Sequence, residues 1–318
     1  MKENQVSYTA RWCAFTRAYH VMNDNPKVFD DYLAPQMLTD GDRLEHDQSL
    51  DLLMTVLRRI DPARASSFPD RQSAVKWIVQ GMYPSSLILS RARYTEDKLG
   101  EAIKQGTCQY VILGDGLDTF VFRHPELLDR LHVFEVDYPS MQAFKRRRLA
   151  ELGWQVPANL HFVPVDFTQA NLMEALRNSS FNPRALALFS WLGVTYYLKR
   201  EEVFATLRAI SETTLAGSMI VFDYLDPDIF MPHLVALRVR VMLTGAHRQG
   251  EPMKCALDPD ELASNLAPLH LRLNEDVGPS EVQQTYFQGR ADAHYACEHA
   301  HIACVVVESR DERDVGLH

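Results

Sequence analysis

Two hydrophobic rhythms divide the chain. In the first third, apolar residues recur at helical spacing. Residues 42–60 place Leu44, Leu52, Leu53, Val56, Leu57 and Ile60 mostly on one stripe, and Pro62 closes the run. A second helix is expected over residues 71–80, with Ala74, Trp77 and Ile78 inward. A third is expected over 86–105, ended by Gly106 in a position that suits a left-handed cap. Beyond that point the pattern changes to short apolar runs at residues 110–113, 132–136, 161–165, 186–189, 219–222, 269–273 and 302–307. Helical stretches separate them at 140–152, 171–177, 200–211 and 259–266. Several of the runs are apolar throughout, which is the mark of strands buried on both faces. The expected fold is therefore α/β: a doubly wound, mostly parallel, seven-stranded Rossmann-like sheet. Residues 1–106 read as an N-terminal helical cap and 107–318 as the core, together forming one catalytic unit. One insertion, residues 226–254, is rich in methionine and punctuated by proline and histidine, with a helix expected over 232–244. It reads either as a surface helix over the sheet or as a lid beyond the strand ends, where such sheets bind ligands.

Composition narrows the partners more than the fold. Lys and Arg total 33 against 42 for Asp and Glu, a formal charge of −9. A net acidic chain makes nucleic acid a poor main partner, because phosphate binding needs a basic face. The five cysteines (Cys13, Cys108, Cys255, Cys297, Cys304) are scattered without a CxxC pair, so a reducing, cytoplasmic setting is expected. No apolar secretory signal is visible among the first ten residues. The most apolar stretch, residues 185–198, is too short to span a bilayer and contains Ser190, Gly193 and Thr195, so no membrane partner is expected.

The chemistry concentrates at the ends of the first three strands. In YVILGDGLDT a buried strand runs into Gly114 and Gly116. Glycine there permits a sharp turn and lets backbone approach a ligand. The dinucleotide fingerprint would need a third glycine at Thr119, which disfavours a nicotinamide or flavin cofactor. The second strand ends at Asp137, roughly 20 residues beyond the second glycine, where a carboxylate accepts two hydrogen bonds from a ribose diol. The third ends at Asp166-Phe167, suited to an adenine amino group and the face of its ring. Gly-x-Gly, Asp and Asp on consecutive strands fit an adenosyl ligand.

YVILGDGLDTFVFR, VFEVDYPSMQAFKRRRL, FVPVDF and FSWLGVTYYL, in that order, resemble the motifs of the leucine carboxyl methyltransferase-like family. The resemblance extends from SYTA and VFDDYLA through SRARYTEDKL to VGPSEVQQTYFQGRAD, and is greatest to the bacterial and fungal branch acting on small molecules. It implies an O-methyltransferase using S-adenosyl-L-methionine and releasing S-adenosyl-L-homocysteine. It also implies that Arg91 pairs with the methionine carboxylate and that Gly114 and Gly116 line the methionyl portion. Asp137 would hold the ribose, and Asp166 with Phe167 would frame the adenine. Leu192 stands where phosphatase-methylating members carry a glutamate, which argues against a phosphatase substrate. Asp115 replaces the alanine of the usual GAG turn, and its carboxylate either bonds the methionine ammonium or points to solvent.

A small-molecule acceptor with a carboxyl or hydroxyl group follows, the carboxylate being favoured because it needs no general base. Tyr196, Tyr197 and Tyr224 are candidates for the substrate wall, with His20, His233 or Arg238 as orienting groups, and Asp223-Tyr224 is expected at a strand end facing the pocket; no catalytic residue is singled out. The basic run Lys145-Arg146-Arg147-Arg148 reads as a solvated helix face. The run His294, Cys297, Glu298, His299, His301 and Cys304 matches no standard zinc spacing, so no metal is expected. Two other readings stand beside this one: a catalytically silent S-adenosylmethionine-binding regulator, and a nicotinamide-dependent oxidoreductase.

Overall fold

The computed structural model describes residues 7–82, 84–165, 172–248 and 250–310. Seven strands form one sheet: β1 Gln109–Leu113, β2 His132–Asp137, β3 Leu160–Pro164, β4 Ala187–Trp191, β5 Met219–Leu225, β6 Leu271–Val277 and β7 Ala300–Val307. Their order is β3-β2-β1-β4-β5-β7-β6. β1 to β5 pair in parallel, and β7 runs antiparallel to both β5 and β6. Every residue of β1 and β4 is buried, which explains their largely apolar sequence, polar only at Gln109 and Ser190. Because the order reverses between β1 and β4, the crevice beyond their C-terminal ends is the natural place for a ligand.

All seven expected strands form, with one shifted edge. Residues 269–273 were expected as a strand, but Ala267–Leu269 makes a 3-10 turn closed by His270 at φ 54°. β6 therefore begins at Leu271 and runs on through the polar residues Asn274, Glu275 and Asp276. As the outermost strand it leaves one edge unpaired, so its polar half carries no apolar signature.

Among the helices, Asp40–Ile60 starts earlier than its apolar stripe because Thr39 and Asp42 form a reciprocal capping box. The expected 71–80 helix is α-helical over Arg71–Trp77 and continues as a π-turn over Ile78–Met82. The helix in the insertion is Leu237–Arg248, later than 232–244, because the Leu234 and Val235 N–H groups first close a turn on the Met231 carbonyl. Tyr8–Asn23, absent from the sequence expectation, is a full helix. Its buried residues Trp12, Ala14, Thr16, Ala18 and His20 alternate small, polar and aromatic, so no apolar stripe announces it.

No helix among the described residues is long and apolar enough to cross a membrane. The N-terminal helices close on each other around Trp12, Leu50, Leu57 and Ile78. His46 sits among these groups fully buried, against the rings of Trp12 and Phe15. Burial pushes its pKa down to about 4, so folding keeps the imidazole neutral. The unfolded chain takes up this proton below about pH 6.5 and the folded chain only near pH 4, so stability falls as pH drops through that window. His46→Phe should flatten that fall, by up to about 3 kcal/mol at full titration, in urea unfolding measured between pH 7 and pH 4.

Candidate functional site

The turn after β1 is built by backbone conformations that L-side chains rarely adopt. Gly114 has φ 76°, and a Cβ there would lie 2.7 Å from Val194 Cγ2. Its N–H donates to the Val136 carbonyl at 2.7 Å, holding the turn against the end of β2. The Gly116 N–H donates to Asp137 Oδ2 at 2.8 Å, and the Tyr138 N–H donates to Oδ1 at 2.7 Å. Asp137 is thereby fixed at the mouth of the crevice with lone pairs to spare. Burial, reinforced by the charge of Asp115, pushes its pKa up to about 7.

Asp115 and Lys145 correct the sequence reading. Lys145 is not on a solvated face; its side chain is fully buried, 2.9 Å from Asp115 Oδ2 and 2.7 Å from Glu135 Oε2. Burial opposes the ammonium charge, but Asp115 and Glu135 outweigh it and raise the pKa. Asp115 does not point to solvent either. One oxygen faces Lys145, while Oδ1 is buried without a hydrogen-bond partner in a residue that lines the crevice.

The opposite wall is organised by Asp223 of β5. Its Oδ2 lies 2.6 Å from Arg91 Nη1, and its Oδ1 accepts the Gly193 N–H at 2.6 Å. Arg91, on the Ser85–Lys104 helix, also donates from Nη1 to the Tyr196 hydroxyl at 2.9 Å. Gly193 has φ 74°, and a Cβ there would fall 2.6 Å from Arg91 Nη2, so only glycine lets the guanidinium lie flat on this loop.

Between the two walls is a crevice of about 320 Å³ that contains Arg91, Gly114, Asp115, Gly116, Asp137, Leu192, Tyr196 and Tyr197 in its lining. The N-terminal helix and the insertion close over it. Ser7 and Thr9 donate to the two oxygens of Glu251 at 3.2 and 2.7 Å, and Cys13, Arg17 and Lys254 add to the lining. Arg17 secures the turn by donating to the Leu117 carbonyl and to Asp31, both at 2.8 Å. Sequence reasoning did not select Cys13, Arg17 or Glu251 as site residues, and it placed Asp223 at a strand end facing the pocket without giving it a role. The SYTA segment marked the region of the first two, but no local signal marked the long-range partners.

Four expected substrate-wall residues lie elsewhere. Tyr224 faces away from the crevice because neighbouring strand residues point to opposite faces; it donates to Asp276 Oδ2 at 2.7 Å and stacks on His301. Arg238 is buried against Tyr295, paired with Glu298 at 2.7 Å and bonded to the Ala296 carbonyl. His233 is exposed and outside the crevice lining. His20 is buried behind the site, 2.6 Å from Asp24 Oδ2, and its Nε2 accepts the Val28 N–H at 2.8 Å. Asp166 and Phe167 lie outside the described residues.

His20, Asp24 and His294 are the one trio of close potential metal ligands among the described residues. Hydrogen bonding accounts for this trio. His294 Nε2 lies 2.8 Å from Asp24 Oδ2, and Gln80 donates to Oδ1 at 2.5 Å. With His20 Nε2 already an acceptor, its Nδ1 must carry the proton that meets Asp24; binding a metal there would require an imidazolate.

A reversed-order parallel sheet with this crevice defines a class I methyltransferase fold. The family model of leucine carboxyl methyltransferase matches residues 10–211, and the chain belongs to that family. It is 35% identical over 301 residues, 95% of this chain and 98% of the other, to YktD of Bacillus subtilis, described as a candidate S-adenosyl-L-methionine-dependent methyltransferase. A similarly described protein of Mycobacterium avium is 28% identical, over 86% of this chain and 81% of its own length. Among solved structures, a DUF574 family protein from Streptomyces avermitilis aligns with TM-score 0.59 at 13% identity, covering 96% of this chain and 99% of that one. A candidate methyltransferase from Thermobifida fusca aligns at 0.53 and 14%, covering 76% and 90%. These two support the fold. The chain is an S-adenosyl-L-methionine-dependent methyltransferase, and the nicotinamide reading is set aside.

Lys145 offsets two buried carboxylates of this site. Lys145→Met leaves Asp115 and Glu135 buried without their cation and should cost about 3–5 kcal/mol in urea unfolding. Restoring charge balance with Asp115→Asn and Glu135→Gln in the same chain should recover most of that loss.

Proposed function

We propose that this chain transfers the methyl group of S-adenosyl-L-methionine to a carboxylate oxygen of a small molecule. The observation that carries the reading is the inner wall of the crevice, where the buried guanidinium of Arg91 stands with the phenols of Tyr196 and Tyr197. Burial raises the pKa of both phenols, so they serve as donors rather than bases. A cation and two hydroxyl donors suit an acceptor that is already ionised. The other acids of the lining are engaged: Glu202 accepts the Lys199 N–H at 2.7 Å, Glu251 holds Ser7 and Thr9, Glu96 pairs with Arg123, and Asp118 accepts the Phe120 N–H at 2.7 Å.

The residues present fit the cofactor. Asp137 has the placement and free lone pairs for a ribose diol, and Gly114 and Gly116 leave backbone open toward the methionyl portion. Nη2 of Arg91, whose hydrogen bond to Cys13 Sγ is a long one of 3.6 Å, would face the amino-acid carboxylate; the unpartnered Oδ1 of Asp115 would face its ammonium. Asp166 and Phe167 would frame the adenine, and Leu192 would leave an apolar contact in place of a polar one. When bound, the sulfonium supplies an activated methyl group whose transfer consumes its positive charge. The protein's task is then alignment at about 3 Å in a space kept free of water. Residues 1–106 would act as cap and 226–254 as lid of one catalytic unit, latched where Glu251 meets Ser7 and Thr9. The five free cysteines favour a reducing, cytoplasmic setting.

Ribose hydroxyls donate to an ionised carboxylate, so cofactor binding should deprotonate Asp137 below about pH 7. S-adenosylhomocysteine affinity measured by calorimetry should therefore rise from pH 6 to pH 8. Asp137→Ala should lose about 1–3 kcal/mol of binding at pH 8 and abolish this slope. Acceptor chemistry is tested by turnover of labelled S-adenosylmethionine with carboxylic acids and phenols in weak buffer. Methylation of carboxylates without net proton release is expected. Turnover of phenols alone, with one proton released each time, would overturn the carboxylate reading.

A further inference from the structure

A second cavity of about 340 Å³ adjoins the crevice and shares Cys13, Ile88, Arg91, Tyr196 and Tyr197 with it. Its walls come from three sources. The Tyr8–Asn23 helix supplies Trp12, the Asp40–Ile60 helix supplies Leu53 and Val56, and the insertion supplies Val241, Met242 and Met253. The two spaces differ in charge. The crevice lining is net acidic, with Glu96, Asp115, Asp118, Asp137, Glu202 and Glu251 against Arg17, Arg91, Lys199 and Lys254, whereas among the described residues of the second cavity every charged side chain is an arginine: Arg91, Arg240 and Arg248. Arg240 and Arg248 are exposed on the insertion helix, and the bonds that Arg240 makes go to the backbone carbonyls of Pro232 and Val235. Arg91 is buried where the spaces meet.

We infer that the second cavity holds the methyl acceptor and selects an apolar monocarboxylic acid, its carboxylate at the Tyr196 and Tyr197 hydroxyls where the two spaces meet and its hydrocarbon body among the Leu53, Val56 and Met242 side chains. This rests on the methyltransferase reading above and names the substrate class that the reading leaves open. An acidic space suits a cationic cofactor, and an apolar space bearing only arginines suits an amphipathic anion; each disfavours the other's occupant. The apolar walls favour a hydrocarbon body over a sugar or nucleotide, whose hydroxyls would lose water without gaining partners. Exposed Arg240 and Arg248 draw the anion toward the cavity, an effect that salt weakens. In the transfer, a carboxylate oxygen forms its bond to the methyl carbon as the carbon–sulfur bond breaks, and that electron pair stays on sulfur. The products are a neutral methyl ester and a neutral thioether, so the ester loses its attraction to the arginines and can depart.

The test titrates octanoate, octylamine, octanol and methyl octanoate into the full-length protein, with and without saturating S-adenosylhomocysteine. Octanoate is expected to bind at least tenfold more tightly than the other three. Val56→Trp, which fills the cavity, should weaken octanoate at least tenfold and leave S-adenosylhomocysteine affinity within twofold. Thr244→Trp, on an exposed position of the same wall, serves the same purpose if Val56→Trp does not fold. The Arg240→Gln/Arg248→Gln double variant should weaken octanoate severalfold and reduce its salt dependence. Equal binding of octylamine or octanol, or undiminished octanoate binding in a folded tryptophan variant, would overturn the inference. Absence of S-adenosylhomocysteine binding would instead overturn the functional reading, and the two failures are separable because each ligand is titrated alone.

Discussion

The Asp223 carboxylate holds the site together. From the middle of the sheet it pairs with Arg91 at 2.6 Å and accepts the Gly193 N–H at 2.6 Å. One side chain thus ties the Ser85–Lys104 helix and the loop after β4 to β5. The pair is fully enclosed, and a buried carboxylate and guanidinium are tolerable only because each satisfies the other. Gly193 is the steric condition for this contact, since a side chain there would occupy the place of the guanidinium. Arg91 in turn stands at the boundary between the acidic crevice and the arginine-bearing cavity, so under the proposed assignment the same contact would set where cofactor and acceptor meet.

The acids across the crevice follow a different logic. Asp115, Glu135 and Asp137 crowd the ends of β1 and β2, and one buried lysine offsets them. Burial raises all three acid pKa values, the signature of a site holding excess negative charge in a poor solvent for it. Such a site gains from an incoming cation. Under the proposed assignment the sulfonium and ammonium of the cofactor would bring that charge, and the free oxygen of Asp115 would meet part of it.

How much of this was legible depended on the range of the interaction. The glycine turn and Asp137 are local features of strand ends, and the sequence pattern located them correctly. The strand set was legible because burial on both faces leaves unbroken apolar runs; β6 slipped because an edge strand carries no such run. Lys145 was misread because four successive basic residues do not reveal which one turns inward. Asp223 and Tyr224 were both expected to face the pocket, but neighbouring strand residues point to opposite faces, and Tyr224 instead meets Asp276 and His301. The pairing of Asp223 with Arg91 spans 132 positions, and nothing local to either residue announces it. The Tyr8–Asn23 helix was missed because polar Thr16 and His20 are as buried as its apolar residues.

A crystal structure with S-adenosylhomocysteine tests the central claim most directly. The account predicts both ribose hydroxyls on Asp137, the amino-acid end between Arg91 and Asp115, and the sulfur facing the junction with the arginine-bearing cavity. A ligand bound elsewhere, or one seated in the crevice with Asp137 and Arg91 untouched, would contradict it.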